Sequence, residues 1–149
     1  MQELWHFLGQ FHPAIVHFPV ALLLVAALAE MGYILWRKPF LEHAVSLNLH
    51  LSAASAIGAA VLGWALATVT GIEPELRSTL FWHRWLGTSS AVLAVAALAL
   101  WHYHRAQMTK RRLWTFRGVL FAGAISVSLA GHLGGLLVYG LDFYHFSLK

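Results

Sequence analysis

The chain has 149 residues, 59% of them apolar and only 11% Asp, Glu, Lys or Arg, against roughly 25% charged in soluble domains. This all but excludes a water-soluble globule. At about 20 apolar residues per helical crossing, the length accommodates four spans and leaves no room for a second folded domain. The net charge of +4 sits in loops, where it bears on membrane orientation and not on nucleic acid. The absence of Cys removes disulfides, thiolate metal sites, iron–sulfur clusters and covalent haem attachment.

Long apolar runs predict helices over 13–36, 43–70, 79–102 and 113–140. Their borders carry helix punctuation: Pro13 in a first turn, Lys38-Pro39 after the first run, Gly71 after the second, and Ser78-Thr79 as caps before the third. Trp5, Trp36, Trp82, Trp85, Trp101 and Trp114 fall near span ends, as an interfacial aromatic belt requires, whereas Trp64 lies deeper. Short connections between consecutive spans predict an all-α integral membrane four-helix bundle, up-down-up-down, forming a single domain over 1–149.

Arg37 and Lys38 lie in the first loop, and Arg105, Lys110, Arg111 and Arg112 in the third, with Arg117 just inside the fourth span. Only Arg77, Arg84 and Lys149 belong to the other side. The positive-inside rule then predicts a multi-pass protein of the bacterial inner membrane with the first and third loops in the cytoplasm. Both termini and the 71–78 loop are expected outside, the N-terminus exported without a cleaved signal, since Glu3 and the lack of a basic flank are unlike a signal peptide.

Ten histidines equal the number of Lys plus Arg. At 1.5 Å per residue, His17 and His83 lie about 6 Å below the outer surface and His132 about 12 Å. His12 is at the rim beside Pro13, and His6 and His145 are in the termini. His43, His102 and His104 sit at the cytoplasmic border, and His50 lies well inside the inner half. Ionisable groups at membrane depth usually face the bundle interior and mark function. In the expected topology the first and third helices are diagonal, so His17 and His83 are predicted to face each other across the core as axial ligands of a b-type haem. His132 would be a neighbouring donor, a propionate or quinone contact, or a substitute ligand.

Room for a macrocycle would come from Gly58 and Gly63 on the second span, Gly131, Gly134 and Gly135 on the fourth, and Gly87 one turn after His83. The plainer reading is that these small residues let membrane helices pack closely. Arg84 and Arg77 suit haem propionates, or snorkel at the border. Pro19 removes a backbone donor and frees the Ile15 carbonyl, a kink that could aim His17. In the inner half Glu30 has two expected partners, a hydrogen bond to His50 or an ion pair with Arg117; a proton-relay or quinone role for Glu30 and His50 is the sharper version.

Read together, His12-Pro13-Ala14-Ile15-Val16-His17-Phe18-Pro19, Gly63-Trp64, His83-Arg84-Trp85-Leu86-Gly87 and Gly131-His132-Leu133-Gly134-Gly135 resemble a bacterial family of uncharacterised four-helix membrane proteins. Members of that family are often fused to or encoded beside c-type cytochromes, and the resemblance spans nearly the whole chain. It implies a membrane partner of exported electron-transfer proteins, with His17, His83 and His132 at recurrent His positions. Where some relatives carry a second His shortly before the final Gly, this chain has Tyr139. Without Cys, any c-type haem must arrive on a separate partner.

The leading expectation is a b-type haem protein passing electrons between quinone and an exported cytochrome, alone or in a larger membrane complex. Its cofactor-binding set is His17, His83, His132, Arg84, Gly63, Gly87, Gly131 and Gly135, with His17 and His83 on the metal. A second reading is a bare copper or zinc site built from His17, His83 and His132, with His12 available as a fourth ligand. A third is a cofactor-free structural or assembly subunit, or a small transporter. No catalytic residue is assigned, because Ser52, Ser55, Ser89, Ser90, Ser126 and Ser128 read as helix-packing residues, and no phosphate loop or nucleic-acid module is present.

Overall fold

Hydrocarbon offers the backbone no hydrogen-bond partners, so apolar runs of this length close their own bonds as helices. The computed structural model describes residues 2–69, 71–104 and 109–142. These form α1 (Gln2–Gly9), α2 (His12–Ile15), α3 (His17–Trp36), α4 (Pro39–Val69), a 3-10 turn (Pro74–Leu76), α5 (Arg77–His104) and α6 (Lys110–Tyr139), with no strand among the described residues. Four stretches are long and apolar enough to cross a membrane: Gln2–Trp36, Pro39–Thr68, Pro74–Tyr103 and Lys110–Tyr139.

Helix α3 packs on α4, α4 on α5, α5 on α6, and α6 back on α3. This is the up-down-up-down square, with α3 opposite α5 and α4 opposite α6. Its buried seam is built on small residues, Ala26, Ala53, Ala94 and Ala97, filled in by Leu23, Leu49, Phe116 and Leu120. Leu28, Leu35, Val92, Ile125 and Val138 are instead exposed. Small residues inside and large aliphatic ones outside is the distribution expected when lipid, not water, is the solvent.

The first crossing is interrupted near the place expected from Pro19, and it begins earlier than Pro13. Amphipathic α1 comes first, a turn at Gln10-Phe11 separates α1 from α2, and the hydrogen-bond ladder lapses at Val16, whose backbone stays helical (φ −60°, ψ −25°), because Pro19 has no N–H for the Ile15 carbonyl. Helix α1 lies against α4. Gly9 is the reason it can: a Cβ there would lie 2.8 Å from the Leu66 backbone nitrogen and 2.9 Å from its Cα. Helix α4 starts about one turn before its apolar run, at Pro39, whose missing N–H is no loss in a first helical turn. Arg37 closes α3 in the left-handed region (φ 53°), its N–H donating to the Tyr33 carbonyl at 3.0 Å.

At the end bearing Arg37 and Lys110, Arg117 Nε donates to Glu30 Oε1 at 2.7 Å, both side chains almost fully buried. Of the two partners expected for Glu30, the structure has Arg117. The guanidinium also lies 5.3 Å from the Trp114 ring centroid, and the pair ties α3 to α6 across that end of the core.

Candidate functional site

The opposite end, beside the 3-10 turn, brings two imidazoles together. His12 and His83 have ring centroids 6.0 Å apart and planes at 83°. His12 Nδ1–H donates to the Ala59 carbonyl at 2.9 Å, and His83 Nδ1–H donates to the Ala130 carbonyl at 2.8 Å. A carbonyl only accepts, so each Nδ1 carries a proton, and the neutral form of each ring keeps its lone pair on Nε2. Thus α4 and α6, one diagonal of the bundle, orient imidazoles supplied by α2 and α5. Anchoring of one ring nitrogen by a carbonyl is how metal-binding imidazoles are commonly held.

The rings occupy notches left by glycine. A Cβ at Gly63 would lie 2.7 Å from His12 Cε1, and one at Gly134 would lie 3.1 Å from His83 Cε1. These two glycines therefore make room for the imidazoles themselves. Gly87 differs, since a Cβ there would meet nothing within 4 Å, and it is half-buried one turn from His83.

His17, expected opposite His83, is exposed at the start of α3; His12 holds the inward position. The physical reason is angular. Five residues along a helix turn through about 140°, so His12 and His17 cannot both face the core, and His12 is the one that does. His132 and Gly131 are exposed and Gly135 is half-buried. The four-imidazole arrangement of the bare copper or zinc reading is consequently not assembled, and no group of three or more His or acidic side chains suited to a metal occurs among the described residues. Spacing could have flagged His12, because the pattern His12-x₄-His17 forces a choice between the two.

Arg84, next to His83 in sequence, lies with its Cζ 3.6 Å from the Trp64 ring centroid. The Trp64 indole N–H donates to Thr88 Oγ1 at 3.0 Å, and the Thr88 hydroxyl donates to the Arg84 carbonyl at 2.8 Å. Trp64 also meets Trp85 edge-on at 6.0 Å. What sequence alone treats as an unusually deep anchor is the hub of an α4–α5 contact.

Towards the other end, His50 Nδ1–H donates to the Ser46 carbonyl at 2.6 Å, and His50 Nε2 lies 2.6 Å from His102 Nε2. With His50 Nδ1 protonated, His102 Nε2–H is the donor of that second bond. His50 is therefore satisfied by α5, not by Glu30. His145, His104 and Arg105 lie outside the residues whose side chains are described.

No curated protein and no solved structure matches the chain. Residues 10–144 match the family described as predicted membrane protein (DUF2231). That span takes in three crossings whole, the first from Gln10 onward, and both histidine pairs, and the chain belongs to this family of membrane proteins.

Proposed function

We propose that the protein is a membrane electron-transfer component in which His12 and His83 hold the iron of a b-type haem. The observation that carries this reading is the anchored pair: two imidazoles on diagonal helices, each fixed through Nδ1 with no hydrogen bond to Nε2 among the described residues. The ring centroids lie 6.0 Å apart, and the two Nε2 atoms are the ones that would hold the iron. Such a group supplies reversible one-electron transfer. The Ala59 and Ala130 carbonyls orient the rings, and the open space at Gly87 is where a flat group would find room.

In this reading the end rich in Arg and Lys faces the cytoplasm of a bacterial inner membrane, the His12–His83 end faces outward, quinone supplies electrons and an exported c-type cytochrome accepts them. A bare copper ion held by the same two nitrogens is the second reading. It is favoured by the direct seating of both rings in the Gly63 and Gly134 notches.

The test is an optical spectrum of the detergent-purified protein, oxidised and dithionite-reduced, with a pyridine haemochrome assay and metal analysis. The haem reading expects sharp reduced bands and about one haem per chain, lost in His12→Ala and in His83→Ala and kept in His17→Ala. A colourless protein with stoichiometric copper supports the second reading. A colourless, metal-free protein from haem-replete cells overturns both.

A further inference from the structure

We infer that the face of α4 and α5 around Trp64 is a binding site for one anionic phospholipid, its phosphate held by Arg84 and Arg77 and its chain lying in an apolar trench beneath α1. Trp64 lines two clefts. The larger, of about 760 Å³, is lined by Trp5, Ala60, Val61, Trp64 and Ala65, with Gln2, Thr68 and Thr88 as its polar members. The smaller, of about 290 Å³, is lined by Arg77, Arg84 and the aromatic rings of Trp64, Phe81 and Trp85, with Leu80. The mostly apolar lining of the first suits a lipid chain, and the two guanidinium groups of the second suit an anionic head.

Charge selects the occupant. Arg84 is half-buried about 10 Å along α5 from Arg77. Its Nε is buried with no hydrogen-bond partner, and neither Arg77 nor Arg84 forms an ion pair among the described residues. A guanidinium at membrane depth ordinarily finds an anion or a carbonyl. Stacking on Trp64 compensates part of its desolvation but leaves the Nε–H donor unused. A phosphodiester oxygen would reach the guanidinium's Nη donors, which are not shut off as Nε is, with charge-assisted bonds. The larger cleft then accounts for the attached chain, which inorganic phosphate lacks.

The experiment is native mass spectrometry of the full chain released from micelles containing phosphatidylglycerol and phosphatidylcholine at equal concentration. Wild type is expected to retain one phosphatidylglycerol in preference to phosphatidylcholine by about tenfold or more. Arg84→Gln is expected to abolish the preference, and Arg84→Lys to keep part of it. Ala60→Phe fills the trench without touching either arginine and is expected to release the lipid from a protein that remains monodisperse. Equal retention of both lipids by wild type, an undiminished preference in Arg84→Gln, or retention unchanged in Ala60→Phe would overturn the proposal. Displacement of the lipid by millimolar inorganic phosphate would overturn it in favour of a free-anion site.

Discussion

Glu30 on α3 and Arg117 on α6 meet at 2.7 Å with almost no solvent contact on either side chain. Each is affordable at membrane depth only because of the other, and removing one leaves an uncompensated charge, which costs about 3–5 kcal/mol in buried pairs. Arg117→Leu and Glu30→Leu are each expected to destabilise the bundle on that scale. The double variant, which replaces both charges with apolar volume, is expected to recover most of the loss. Unfolding of the detergent-solubilised protein, followed by circular dichroism for all four members of the cycle, checks this. A double variant no better than the worse single variant would show that the pair does not act as a unit.

The architecture was readable because hydrophobicity and length dominate it: four crossings, their order and the diagonal placement of α3 and α5 follow from run lengths and short loops. The pairing of side chains was not readable to the same depth. His17 and His12 differ by only five positions, and the rotation of the helix about its own axis, which depth alone does not give, decides which faces His83. The same limit applies to Glu30. Depth along the helix axis allowed both His50 and Arg117, but the rotation of each helix about its own axis gives Arg117 to Glu30 and His102 to His50. Helix α1 escaped because eight residues with a polar face carry no long apolar signal.

The glycines divide into those that seat an imidazole and those that do not. Gly63→Ala would place a Cβ 2.7 Å from His12 Cε1 and is expected to expel that ring from its bond to Ala59; Gly134→Ala, at 3.1 Å from His83 Cε1, needs a smaller adjustment. Overpacking of this kind costs about 1–3 kcal/mol. Gly58→Ala meets nothing within 4 Å and gains helix propensity, so it is expected to be neutral or slightly stabilising, by up to about 1 kcal/mol. Thermal stability of the three variants, with cofactor content measured on the same samples, checks the order. A Gly63→Ala protein as stable and as loaded as Gly58→Ala would remove the notch from the account of the site.

The seat of α1 depends on one residue. Gly9→Ala would bring a Cβ to 2.8 Å from backbone atoms of Leu66, which have no rotamer to yield. Helix α1 must therefore lift from α4 and open the cleft that Gln2 and Trp5 line with Trp64. Faster proteolysis near residue 10 and a shift in tryptophan emission are expected, with the four crossings still helical by circular dichroism. A protease-resistant N-terminus in Gly9→Ala would mean that α1 is held by contacts other than this approach.

His50 and His102 join α4 to α5 through a single N–H···N bond of 2.6 Å, distinct from the His12–His83 end. Interhelical hydrogen bonds in membranes contribute on average about 0.6 kcal/mol, with a maximum near 1.7. His102 is exposed and His50 half-buried, so this pair is expected towards the lower figure. His50→Ala and His102→Ala should each destabilise modestly, and the double variant should lose less than the sum of the two. Neither replacement should alter any chromophore or bound metal, because neither ring reaches the pair at the other end. Loss of haem or copper in His50→Ala, with folding intact, would relocate the cofactor to this end of the bundle and overturn the assignment to His12 and His83.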